Sequence, residues 1–241
     1  MKTLDFYDSW YNCKEDTILT PRETGAISLI RSLHLASKAR FLDAGCGRGT
    51  FMKTIVNEFG FDCSGAEYSK KAVAICKEQG MNVKFSDLNE SLDFETGSFD
   101  IVYAGEVIEH LFDPDKFLEE CNRVLKTNGH LVITTPNLCC WYNRILMLFG
   151  MQPIFIETST RSKMVGAGLL GKLKQDPYPV GHVRIFNYAS LQDILKLYGF
   201  EIINSKGEVF EYFPKKLNWL EKLFCLRTKF ASNMIIVAVK K

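Results

Sequence analysis

The sequence predicts a doubly wound α/β domain, with a mostly parallel sheet and helices on both faces. Three observations carry this. Short apolar runs alternate with helical patterns between residues 38 and 135. The first run ends in a glycine-rich turn, Gly45-Cys-Gly47-Arg-Gly49, that opens a helix. The 241 residues, 46% hydrophobic and 24% charged, suit one domain that buries its own core. Crossovers between parallel strands are right-handed, which leaves doubly wound forms as the topologies to consider.

The elements follow in order. Residues 1–20 are rich in aromatics, with Phe6, Tyr7, Trp10 and Tyr11, and predict a short helix lying over a pocket. Pro21 opens a helix whose Ala26, Ile30 and Leu33 stand at i, i+4 and i+7. Arg40–Ala44 reads as a buried strand, Thr50–Phe59 as a helix and Asp62–Glu67 as the next strand. Ser69 caps a helix that runs to Gln79 and stops at Gly80. Residues 82–85 and 98–104 are strands. Asp113-Pro114 starts a helix running to Lys126, and Asn128-Gly129 turns into a strand over 130–135. From 136 to 187 the rhythm breaks, except for an apolar helix near 141–149 and a glycine-rich piece from Gly166 to Gly171. Ser190 and Asp193 form a short capping-box analogue for a helix ending at Gly199, and strands over 200–204 and 233–239 close the chain.

Composition removes several classes. Thirty Lys+Arg against 28 Asp+Glu leave +2, so no global charge argument for nucleic acid exists. The eight cysteines form no C-x-x-C pair and no zinc spacing, which reads as a reduced protein. The first residues lack a signal-peptide core, and no apolar run is long enough to span a bilayer. A cytoplasmic location is expected.

The glycine turn carries the sharpest chemistry. A dinucleotide fingerprint wants G-x-G-x-x-G, whereas here the third glycine comes one residue early. Asp43 also stands at the strand end, where a pyrophosphate would be repelled. An acid there suits a cationic cofactor. The sulfonium and ammonium of S-adenosylmethionine fit, and its carboxylate can take the helix N–H groups. Glu67 ends the second strand, where it can accept from ribose hydroxyls. Asp87 follows the third, where it can accept from an adenine amine with Leu88 against the ring. Each acid alone reads equally as a solvated loop charge, but three after three successive strands argue together.

Residues 38–135 resemble the class I S-adenosylmethionine-dependent methyltransferases. The likeness rests on Leu42-Asp-Ala-Gly-Cys-Gly-Arg-Gly49, Gly65-Ala-Glu67, Ser98-Phe-Asp-Ile-Val102, Glu106-Val-Ile-Glu-His110 and Asn128-Gly-His-Leu-Val132. Pro136-Asn137 and Gly181-His-Val-Arg-Ile-Phe186 are similar to a branch of small O-methyltransferases that includes quinone-pathway and lipid or sugar enzymes. The resemblance implies a Rossmann-like seven-stranded sheet with an antiparallel final strand. It implies cofactor contacts by Asp43, Ala44, Gly45, Cys46, Gly47 and Gly49, by Glu67 and Tyr68, by Asp87 and Leu88, and by Gly105. One domain over 1–241 is expected: a helical cap over 1–37, a cofactor-binding core over 38–135, an insertion or lid over 136–187 forming the acceptor site, and a C-terminal helix with closing strands over 188–241.

Glu106, Glu109 and His110 follow the fourth strand, where the methyl group should point. Three readings stay open. His110 takes a proton from an acceptor hydroxyl. Or Glu106, Glu109, His110 and His182 hold Mg²⁺ or Zn²⁺, a pattern that resembles metal-dependent 2′-O-methyltransferases of RNA ends and some quinone-pathway enzymes. Or Glu109 and His110 brace the loop, as His182 does through the backbone. His34 and His130 read as structural.

The acceptor is expected to be a small molecule, lipid or sugar, methylated on oxygen by in-line transfer. Residues 141–175 hold five basic residues against Glu157, and 214–241 hold seven against Glu221. Beside the apolar helix, these predict contact with a membrane surface or an anionic acceptor. The alternative is a covered core helix with a solvated basic edge. Rival functions are RNA-end methylation, which the near-neutral charge disfavours, and a cofactor-binding module without catalysis. A nicotinamide oxidoreductase is also disfavoured: Tyr212 and Lys216 stand four apart, but Pro214 interrupts them.

Overall fold

The computed structural model describes residues 19–168 and 178–241. Five strands pair in parallel: β1 (Arg40–Ala44), β2 (Asp62–Glu67), β3 (Asn82–Phe85), β4 (Phe99–Gly105) and β5 (Leu125–Pro136). β7 (Asn233–Lys240) runs antiparallel between β5 and β6 (Phe200–Glu208). The order is β3-β2-β1-β4-β5-β7-β6, the seven-stranded sheet expected.

The strands are apolar on both sides because helices cover both faces. Alternate residues feed two cores. Leu42, Val102, Ala104, Leu131, Ile133 and Ile236 join one, which α4 (Pro114–Val124) covers with Phe117, Leu118 and Cys121, and α6 (Tyr188–Leu197) with Leu191 and Leu195. Phe41, Ile101, Tyr103, Val132, Ile235 and Val237 join the other. There α1 (Pro21–Arg31) packs Ala26, Ile27 and Ile30, and α2 (Thr50–Phe59) packs Phe51 and Ile55. A smaller sulfur-rich cluster joins Cys46 and Met52 to Val73 and Cys76 of α3 (Lys70–Glu78). The strand order reverses between β1 and β4, so their carboxyl ends frame the crevice where such sheets bind ligands.

Several boundaries differ from the sequence reading. α4 stops at Val124 rather than Lys126, because β5 begins at Leu125. Leu125 lies opposite Phe99 and His130 opposite Ile101, so the four residues 126–129 of β5 stand against the single Asp100 and bulge out. Asn128, at φ 63°, turns that bulge, and Lys126 Nζ reaches Asp100 at 2.7 Å. β6 continues to Glu208 by pairing along the whole of β7, with a shift between Ile202 and Asn204. The cap of α6 is Asn187 with Ser190, not Ser190 with Asp193. Each side chain accepts from the other's backbone N–H, at 2.9 and 3.0 Å. The expected helix over 1–20 falls almost wholly outside the described residues, as do 169–171 of the glycine-rich piece.

Within the insertion, α5 (Trp141–Leu148) does not sink into the main core. Tyr142 and Cys140 join Phe155, Phe210 and Phe213 in a satellite cluster. Ile145, Leu148 and Phe149 face outward.

Candidate active site

β1 delivers a fully buried Ala44 and then turns sharply. Gly45 has φ +85°, and a Cβ there would stand 2.5 Å from Val107 Cγ2, so both the turn and the close packing require glycine. Gly47, at φ +54°, donates its N–H to Glu67 Oε2 at 2.8 Å, while Glu67 Oε1 accepts from the Ser69 N–H at 2.7 Å. The end of β2 thereby ties down the glycine turn. Gly49 is the N-cap of α2 and, having no side chain, makes no side-chain cap hydrogen bond.

A cavity of about 300 Å³ lies over this turn. Asp43, Gly45, Cys46, Gly47, Gly105 and Glu106 line it. Asp43 is 2% exposed and its Oδ2 has no hydrogen-bond partner among the described residues. Burial, with Glu23 and Glu67 nearby, holds its carboxyl well above the usual range. Glu67, Tyr68, Asp87 and Leu88 lie along the next two strand ends, outside this cavity. There Tyr68 stacks on Phe85 at 5.7 Å, Asp87 accepts from the Asn89 N–H and side-chain amide, and Leu88 belongs to the main core.

Arg22, Tyr103 and Thr134 are among the lining residues that the sequence did not mark as site residues. Arg22, from the first turn of α1, donates to Glu106 Oε2 at 2.6 Å and also pairs with Glu211 at 3.5 Å. Nothing local separates it from the other basic residues; the capping box of Thr20 and Glu23 around Pro21 aims it inward. Tyr103 stacks on Phe51 at 4.1 Å beneath the cavity. Thr134 of β5 donates to Glu106 Oε1 at 3.0 Å. Glu106 itself sits at φ 55°, a conformation non-glycine residues rarely adopt, and these two partners hold it there.

Of the four residues considered for a metal, three come together. One ligand atom each from Glu109, His110 and His182 lies within 4.8 Å of the others. Glu106 is not in that group, being engaged by Arg22 and Thr134. A 3₁₀ turn over Ile108–His110 carries the first two, and the loop after residue 178 carries the third. Glu109 is fully buried; Oε2 accepts from the Thr135 hydroxyl at 2.9 Å and Oε1 has no hydrogen-bond partner among the described residues. Burial and Glu106 raise its pKa well above normal. His110 Nδ1 donates to Gly181 O at 3.1 Å and His182 Nδ1 to Phe155 O at 3.0 Å, which leaves both Nε2 lone pairs available. Burial and the neighbouring His182 pull His110 down to about 4. Bracing is present as well, since Glu109 O accepts from the N–H groups of Val183 and Arg184.

Comparison with known proteins shows the family. The family model for a methyltransferase domain matches residues 22–205. A probable S-adenosylmethionine-dependent methyltransferase of Mycolicibacterium smegmatis is 27% identical over 73% of this chain and 58% of its own length. A ubiquinone biosynthesis O-methyltransferase of Chelativorans sp. is 30% identical over 56% of this chain and 52% of its own. The chain thus spans a little over half the length of these relatives. In fold, a putative sarcosine dimethylglycine methyltransferase from Galdieria sulphuraria superposes with TM-score 0.64 over 98% of this chain and 99% of that one, at 17% identity.

Proposed function

The chain belongs to the class I S-adenosylmethionine-dependent methyltransferases, and from that premise we propose that it transfers a methyl group to an oxygen of a small-molecule, lipid or sugar acceptor. S-adenosylmethionine, the cofactor of the family, supplies an electrophilic methyl on its sulfonium when bound. The cavity suits its amino-acid end. Asp43, whose buried Oδ2 has no hydrogen-bond partner among the described residues, offers an anionic partner to the ammonium, while Arg22 and the N-terminus of α2 offer partners to the carboxylate. The Glu67–Gly47 hydrogen bond keeps the turn in place, and the cavity walls align the reacting groups and exclude water.

The oxygen reading is carried by the Glu109–His110–His182 group at the end of β4, beside Glu106 and Thr134 of the cavity wall. A hydroxyl acceptor must give up a proton. With its pKa near 4, His110 alone is a weak base for that step. The buried carboxyl with a spare oxygen and two imidazoles oriented by backbone carbonyls fit a divalent cation better. Mg²⁺ or Zn²⁺ held by Glu109, His110 and His182 would supply a lowered acceptor-hydroxyl pKa. The residues that support them, Thr135, Gly181 and Phe155, orient these side chains. The named O-methyltransferase relative points the same way.

The test is methyl transfer onto a panel of hydroxylated acceptors, with products located by mass spectrometry. Metal-stripped protein and His182→Ala should both lose most turnover, with Mg²⁺ or Zn²⁺ restoring the former. Products methylated on nitrogen or carbon, formed equally well under chelation, would contradict the oxygen reading.

A further inference from the structure

The insertion and the last helix meet along one seam. Trp141 of α5 stacks on Phe224 of α7 (Asn218–Cys225), with ring centroids 4.9 Å apart and planes at 11°. The Trp141 indole N–H donates to the carboxylate of Glu221, which is fully buried and also accepts from the Phe210 N–H and the Ser232 hydroxyl. That network fixes the two helices relative to each other.

Beside the seam, both helices turn apolar side chains outward. Ile145 and Leu148 follow Trp141 at i+4 and i+7 on α5. Leu148 and Phe149 are 81% and 74% exposed. On α7, Trp219, Leu223 and Leu226 repeat the same spacing and are 66%, 54% and 80% exposed. Helix ends carrying this much uncovered apolar surface mark a docking face.

Its charge selects the occupant. Arg144, Lys216, Lys222, Arg227 and Lys229 flank these residues, and none of them has an acidic partner among the described residues. The acid within this part of α7, Glu221, is buried and spent on hydrogen bonds. The chain as a whole carries only +2, so the positive field is local to this face. A second copy would bring like charges together.

We propose that this face seats on an anionic lipid bilayer. Leu148, Phe149, Trp219, Leu223 and Leu226 enter the headgroup–acyl boundary, and the basic residues meet lipid phosphates. A cavity of about 470 Å³ adjoins the face at Asn218, is walled by Val209, Phe210 and Phe213, and shares Thr20 with the cavity over the glycine turn. An acceptor carried in the bilayer would therefore have a space leading toward the cofactor site. That last point rests on the proposed methyl transfer; bilayer binding itself does not.

The test is co-sedimentation of the full chain with vesicles of phosphatidylcholine, with and without phosphatidylglycerol. Cofactor affinity and oligomeric state are followed in parallel. Binding should require phosphatidylglycerol, weaken with salt, and fall about tenfold in Lys222→Glu/Arg227→Glu. Leu148→Ser/Trp219→Ser should weaken it too, and both pairs should leave cofactor affinity unchanged. The proposal is overturned by absent or salt-insensitive sedimentation, by full retention in both double variants, or by a dimer that Leu148→Ser/Trp219→Ser dissociates in a protein that ignores vesicles.

Discussion

Asp43 ends β1 with its carboxyl withdrawn from water, one oxygen unpartnered and its pKa raised. Such a group binds a cation only as the carboxylate, so cofactor binding releases a proton from it. The sign follows: affinity for S-adenosylmethionine should rise as pH climbs above the usual carboxylate range and level off once Asp43 is ionised. Asp43→Asn should weaken binding and flatten that dependence, and calorimetry across the pH range reads both. Without cofactor the same group costs stability as pH rises, because the unfolded carboxyl ionises near about 3.9 while the folded one keeps its proton. Asp43 was legible in the sequence because its place at a strand end before glycines is a local fact. Arg22 was not, since its role exists only once α1 lies across the carboxyl ends of β1 and β4 and meets Glu106, 84 residues away.

Helix starts connect local chemistry to the site unequally, and two caps make the contrast. Thr20 caps α1 reciprocally with Glu23 and lines both cavities. Asn187 caps α6 reciprocally with Ser190, away from either. Thr20→Val and Asn187→Ala should each cost about 1 kcal/mol in urea denaturation. Only Thr20→Val should also weaken cofactor binding, by letting Arg22 drift; equal affinity in both variants would separate α1 from the site. The sequence reading placed the α6 cap three residues late because Ser190-x-x-Asp193 and Asn187-x-x-Ser190 have the same spacing. What decides between them is burial of Leu191 and Leu195 against the sheet, which fixes where the helix begins. The β5 bulge was hidden similarly. Asn128-Gly129 signals a turn, but only pairing with β4 makes it a bulge within a strand.

Across the whole molecule, the alternation of short apolar runs with helices made the doubly wound sheet readable, and the glycine-rich turn after β1 marked its ligand crevice. The antiparallel final strand came from resemblance, and its insertion between β5 and β6 was not legible, since pairing between strands distant in sequence leaves no local pattern. The Glu109–His110–His182 group shows the same limit. The residues were visible as types, yet Glu106 joined them on paper and parts from them in the fold, drawn to Arg22 and Thr134. Among the described residues no helix is long and apolar enough to cross a membrane, so the bilayer contact proposed for α5 and α7 is a surface one. Methyl transfer depends on the cavity over the glycine turn receiving S-adenosylmethionine. The most direct measurement is calorimetric titration of metal-stripped protein with that cofactor, alongside Gly47→Glu, which sets a charged side chain at φ +54° in the cavity wall. The account predicts a dissociation constant on the order of micromolar for the native chain and no measurable binding for the variant. No binding by the native chain, or equal binding by both, would contradict it.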